Sequence, residues 1–183
     1  MVVTVAEDTL RAIDEQGNRR VGGMTDAEAQ QCVRDIIAWF KRSSDLEISE
    51  GSEESMQPLI KSLDGEVPET LSYMVSQCNN EIWYGDKKGL TAEKIMDFVS
   101  DGKFGEGNLP IASDEDEEWF IVLETETGEV KEWEEDDGLG DSLGGSYNDY
   151  LEEYRNSLLA GKFEYVEDCG CMEKAGAGGG NRK

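Results

Sequence analysis

The side chains of this chain that could do chemistry are acids and thiols, because its 183 residues include no histidine. Cys169-Gly-Cys171 is the one close thiol pair, with a spacing that suits a metal or a redox bond. Two thiolates without a second pair or any His make an incomplete zinc site, so the motif reads as an unpaired one near the tail. A metal bridged between chains stays open as the alternative; within one chain no metal ligand set and no cofactor is expected.

Two acid runs supply the remaining candidates. Asp114-Glu-Asp-Glu-Glu has carboxylates for calcium but lacks the alternating ligands and central Gly of an EF-hand loop. Glu132, Glu134, Glu135, Asp136 and Asp137 cluster around Trp133. Paired carboxylates serve glycoside hydrolysis when their environments push their pKa values apart, and nothing in the sequence does that here. Lack of His removes the Ser-His-Asp and Cys-His nucleophile systems. Gly102, Gly105 and Gly107 are not followed by the Lys-Ser/Thr of a phosphate loop. A non-catalytic protein is expected.

Charge points to binding. Forty-two acids against 17 bases give a net charge of −25, spread along the whole chain. Nucleic acid and anionic membrane surfaces would repel such a protein, so the expected partner is a protein with a basic surface. Trp83 and Trp133 each end a short strand beside polar residues, where an amphipathic ring suits an interface. Together with Asp114, Asp116, Glu132, Glu134, Glu135, Asp136 and Asp137 they form the expected partner-binding set, while Trp39 and Trp119 are expected in the core. Reduced thiols, the absence of a basic leader and of any apolar run of about 18 residues lead to the expectation of a soluble cytoplasmic protein, with a cytoskeletal or ciliary setting also open.

The elements that must position these groups follow from periodicity. Val2, Val3 and Val5 suggest a short strand and Gln16-Gly17-Asn18 a turn. Thr25-Asp-Ala-Glu28 is a capping box, opening a helix whose Ala29, Cys32, Val33, Ile36, Ile37 and Phe40 share one face. Cys32 on that face reads as a small buried hydrophobe. Polar residues 43–55 read as a linker, Leu59, Ile60 and Leu63 as a short helical turn closed by Asp64-Gly65, and Pro68 as the start of a helix carrying Leu71, Met74, Val75 and Cys78. Ile82-Trp-Tyr84 predicts a strand, and Thr91 a further helix with Ile95, Met96 and Val99 inward.

Leu109 to Trp133 predicts a central hairpin: Trp119 to Leu123 as a strand buried on both faces, a turn at Thr125 to Gly128, and a return through Val130 and Trp133. Glu134 to Gly145 reads as a loop, and Ser146 caps a helix with Tyr147, Tyr150, Leu151, Tyr154, Leu158 and Leu159 on its stripe. Phe163, Tyr165 and Val166 alternate as a closing strand, and residues 175–183 read as a flexible end.

The order Val-Pro-Glu-Thr-Leu, Leu-Thr-Ala-Glu-Lys-Ile, Leu-Pro-Ile-Ala-Ser-Asp, Trp-Phe-Ile-Val-Leu, Thr-Gly-Glu-Val-Lys-Glu-Trp and Ser-Tyr-Asn-Asp-Tyr-Leu resembles the SMI1/KNR4 (SUKH) family, over about Met56 to Asp168. The family pattern has Asn-Gly before the first strand, where this chain has Asn79-Asn80. The resemblance implies an α+β fold, an antiparallel sheet flanked by helices, and protein binding without catalysis. It divides the chain into an N-terminal extension with an amphipathic helix (1–55), an SMI1/KNR4-like domain (56–168) and a Gly-rich tail (169–183). Since the family spans several roles, the expectation is a scaffold module acting as an accessory subunit of an assembly. An immunity-type inhibitor of a basic toxin such as a nuclease, and an axonemal or tubulin-modifying complex subunit, are the alternatives.

Overall fold

The computed structural model describes residues 20–21, 23–63 and 67–176. The expected strand at Val2 to Val5, the turn at Gln16 to Asn18 and the Asp64-Gly65 closure lie outside them. The fold is α+β, with five helices and a curled six-stranded antiparallel sheet among the described residues.

Two short strands, β1 (Arg20–Val21) and β2 (Met24–Thr25), lead into α1 (Asp26–Ser43). The capping box is formed as the sequence requires: the Glu28 amide donates to Thr25 Oγ1 at 3.3 Å, and the Thr25 amide donates to Glu28 Oε2 at 2.8 Å. The predicted apolar face of α1 is buried, with Trp39 added to it. It packs against both α3 and α5, so the core runs without a break across the expected boundary at residues 55 and 56.

The expected linker over 43–55 is shorter and better packed than its composition suggests. Loop 44–52 turns Leu46 and Ile48 onto the core, and a side chain on Gly51 would fall 1.9 Å from the Val75 carbonyl oxygen. Ser52 then caps α2 (Glu53–Ser62), its Oγ accepting from the Glu54 amide at 3.1 Å. The expected short turn is thus a full helix that carries Pro58 inside it, without the bond a residue there would make to the Glu54 carbonyl. Pro68 opens α3 (Glu69–Cys78) as predicted.

The sheet runs in sequence order: β3 (Trp83–Tyr84), β4 (Lys87–Gly89), β5 (Asn108–Ser113), β6 (Trp119–Glu124), β7 (Val130–Glu134) and β8 (Gly138–Gly144). Helix α4 (Ala92–Asp101), capped by Thr91, joins β4 to β5 and packs on β5. Phe120 to Leu123 are buried on both faces of β6, as the apolar run predicts, but Trp119 at its start is exposed.

The segment 134–145, expected to be a loop, contains β8. Its Gly-Leu-Gly-Asp-Ser-Leu-Gly sequence has poor strand propensity, and its ladder to β7 is interrupted by two register shifts. Pairing with β7 supplies the conformation that local preference does not. Helix α5 (Tyr147–Leu159) follows, and Gly144 passes so close to it that an added Cβ would meet Tyr150 Cβ at 2.9 Å.

The closing strand β9 (Phe163–Val166) pairs with β10 (Cys171–Lys174) as a separate hairpin. The expected flexible tail from residue 169 therefore begins with a strand, anchored by Met172, which is 3% exposed.

A buried polar seam joins α3, the sheet and α5. Asn79 and Asn80 end α3 in the left-handed region, at φ 51° and 59°. Asn80 Nδ2 donates to the carbonyls of Leu90 and Ile111, both at 2.9 Å, and its Oδ1 accepts from the Tyr84 hydroxyl. The Tyr84 and Tyr147 hydroxyls are 3.0 Å apart, and Tyr154 donates to the Trp83 carbonyl at 2.6 Å. Gly89 is required beside this seam, because a Cβ there would lie 1.9 Å from the Asn80 carbonyl oxygen.

Substituting Asn80→Ala should lower the unfolding free energy by about 3 kcal/mol, since it removes several buried hydrogen bonds and strands the Leu90 carbonyl. Tyr84→Phe should cost about 1 kcal/mol. Urea denaturation should show both as lower midpoints with an unchanged slope; an unshifted midpoint for Asn80→Ala would remove the seam from this role.

Candidate functional site

The acids predicted to meet a partner are distributed by the β6–β7–β8 ladder. Trp119 lies opposite Glu134 and Ile121 opposite Glu132, so alternation places Trp119, Glu132 and Glu134 on one face and Phe120 and Trp133 on the other. On the first face, α5 covers the region near Tyr84, with the Tyr84 and Tyr150 rings stacked at 6.1 Å. The Trp119 end of the same face is left open.

Two adjoining hollows occupy that open end. One, of about 230 Å³, is lined by Trp119, Glu132, Trp133, Glu134, Asp137, Gly138, Gly140 and Asp141. The other, of about 340 Å³, is lined by Asp86, Lys87, Asp114, Trp119 and Glu132. Trp119 and Glu132 belong to both. Such open, carboxylate-lined hollows differ from the enclosed apolar pockets that hold small ligands. The cation among their lining residues is Lys87, which is paired with Asp86 at 3.0 Å.

The turn before β6 fixes Trp119 in place. Asp114 Oδ1 accepts from the amides of Glu118 and Trp119, both at 3.0 Å, and the Asp114 amide donates to the Trp119 carbonyl at 2.9 Å. Glu117 takes φ 57° to close the turn. Asp114 is therefore both a wall of the hollow and the clamp on the indole's backbone.

Of the residues the sequence singled out, Asp114, Glu132, Glu134 and Asp137 line the hollows. Asp116 and Asp136 are exposed but line neither, and Glu135 pairs instead with Lys103 at 3.4 Å. The two aromatic anchors need correction. Trp83 is 5% exposed and Trp133 is 7% exposed, so both rings are core side chains, with only the rim of Trp133 reaching a hollow. Trp133 packs against Phe104 at 4.7 Å and Phe120 at 5.5 Å, and Lys103 Nζ sits 5.2 Å from its ring centre. The indole nitrogen of Trp83 is buried without a hydrogen-bond partner.

The exposed indole is Trp119, 39% exposed and expected in the core. Its place at the end of an apolar run disguised it; the acids before it were the available signal that the strand was leaving the core there. Asp86 and Asp141 were also missed, Asp141 because β8 was read as a loop.

Like charges shape the site. Glu134 is held above the ordinary carboxylate range, first by loss of hydration and then by Asp137, Asp136 and Glu118. At the far end of β7 the opposite holds: hydrogen bonds from Ser142 and Lys131 pull Glu129 down, and Glu124 and Glu129 raise Lys131. Lys131 thus offsets the two acids it pairs with at that end of β7, at 3.1 and 3.3 Å.

The thiols divide into two kinds. Cys32 and Cys78 are free and buried, and burial pushes them up to about 11 and about 12, which makes them poor nucleophiles. Cys169 and Cys171 are joined as a disulfide, contrary to the expectation of reduced thiols throughout. No described helix is long and apolar enough to cross a membrane.

Against known proteins, no family model matches the chain and no curated protein matches it. The fold class, α+β with a curled antiparallel sheet, is what the structure itself defines.

Substituting Glu134→Gln should raise the melting temperature at pH 7. A carboxyl whose folded pKa is raised weakens the folded state as pH climbs through that pKa, so a neutral amide relieves it. Below the ordinary carboxylate range both proteins are uncharged at this position, and the difference should vanish. A gain that persists unchanged in acid would show that repulsion at Glu134 is not its source; thermal melts across pH decide.

Proposed function

We propose that this chain is a non-catalytic binding module, an accessory subunit of a larger protein assembly, whose acidic hollow takes a basic segment of a protein partner. The observation that carries this reading is Trp119: an exposed indole whose backbone is held by Asp114 and which is shared by two hollows walled with carboxylates. An indole face attracts a Lys or Arg head through its quadrupole, and the surrounding acids add complementary charge. Asp86, Asp114, Glu132, Glu134, Asp137 and Asp141 would meet successive basic side chains along an extended segment. The same charge would repel nucleic acid and anionic lipid.

The sequence resemblance to the SMI1/KNR4 family implies the same class of activity, though no family model matches the chain. The buried, weakly acidic thiols Cys32 and Cys78 favour binding over thiol catalysis.

A Lys/Arg-rich peptide should change Trp119 fluorescence saturably, with affinity falling as salt rises. Trp119→Ala should weaken binding by about five-fold or more, the equivalent of about 1 kcal/mol for one exposed cation–π contact. Replacing Glu132, Glu134 and Asp137 with Lys should abolish it. Salt-independent binding, or binding unchanged in both variants by calorimetry, would sink the proposal.

A further inference from the structure

The β9–β10 hairpin belongs neither to the six-stranded sheet nor to the acidic hollow. Alternation along β10 turns Met172 into the core and puts half-buried Cys171 and exposed Glu173 on the other face of the ladder. The two cysteine sulfurs and a carboxylate oxygen of Glu173 all lie within 4.8 Å of one another. The ladder register sets Glu164 directly opposite Glu173, both exposed, and Glu167 and Asp168 lead into Cys169. Like charges directly opposite on a ladder repel, and a bound cation would relieve that repulsion.

We propose that, once the disulfide is reduced, Cys169, Cys171 and Glu173 form a site for a thiophilic divalent cation of the zinc class. Two thiolates with one carboxylate favour zinc over magnesium or calcium, which prefer all-oxygen ligand sets. Tetrahedral zinc with bonds of about 2.3 Å holds two thiolates about 3.8 Å apart. A Cα separation of 5.3 Å across Gly170 accommodates that span. Among the described residues no fourth donor joins these three within 4.8 Å, which leaves the fourth position to water or to a donor from another molecule.

The chemistry makes the site redox-gated. Two molecules of a small thiol reduce the Cys169–Cys171 disulfide by exchange, passing two electrons and two protons to the protein and leaving as one small-molecule disulfide. The metal then displaces the two thiol protons and binds both sulfurs. Oxidation by a small-molecule disulfide reverses the sequence: the sulfurs join, two small thiols form, and the metal is released because one ligand of three remains.

The test uses the full chain, reduced with a phosphine under argon and titrated with cobalt(II), then zinc. A thiolate-to-cobalt charge-transfer band that saturates at one metal per chain and disappears on zinc addition is expected. The oxidised protein should give no band, and Cys169→Ser with Cys171→Ser should abolish it in the reduced protein. Glu173→Gln should keep the band and weaken cobalt binding by about tenfold or more. No band in the reduced wild type, or a band surviving loss of both cysteines, would overturn the site; unchanged affinity in Glu173→Gln would overturn the three-ligand set. The oxidised wild type serves as a control that involves no substitution.

Discussion

Asn80 carries its amide to a position without access to water, where the end of α3, the β4–β5 region and α5 converge. A buried amide is tolerated only when its donors and acceptor are matched, and here the Leu90 and Ile111 carbonyls and the Tyr84 hydroxyl match them. The rest of the arrangement follows from that constraint. The chain must enter β3 in a left-handed turn, residue 89 must lack a side chain, and Tyr84 must reach Tyr147 on α5. Burial raises the Tyr84 hydroxyl well above its ordinary value, as it does that of Tyr150, so both hydroxyls stay neutral.

That seam also decides where the acidic surface opens. With α5 tied to β3 by its tyrosines, the helix covers one end of the sheet face and stops short of the other. At the uncovered end the sheet displays Trp119 among carboxylates. On the opposite face Lys103 lies over Phe120 and Trp133, 5.0 and 5.2 Å from their ring centres, and pairs with Glu135. The two faces of one hairpin thus differ in electrostatic character: one has a cation against its aromatic core, the other leaves its acids facing solvent.

Much of the helical part was legible from sequence, because capping and apolar spacing are local signals. The Thr25 box, the Pro68 start and the Thr91 and Ser146 caps all appear where the residues place them. The central hairpin was legible too, since a run such as Phe120 to Leu123 has few alternatives to a doubly buried strand. β8 was not, because seven residues with three glycines carry no strand preference and become a strand only by pairing with β7. The candidate site was half legible. Glu132, Glu134, Asp137 and Asp114 were found by charge, whereas the choice among four tryptophans was missed because each lies beside both apolar and polar residues.

By itself the sequence determined the helix starts, the central hairpin and the sign of the surface, which follow from composition and short-range periodicity, while the α+β class was what the family resemblance implied. The tertiary structure alone decided which tryptophan is exposed, which acids share a hollow, and that Glu173 stands beside Cys169 and Cys171. Those outcomes depend on strand register and on where α5 ends over the sheet, and a shift of one residue in register would have reversed every side chain of β7.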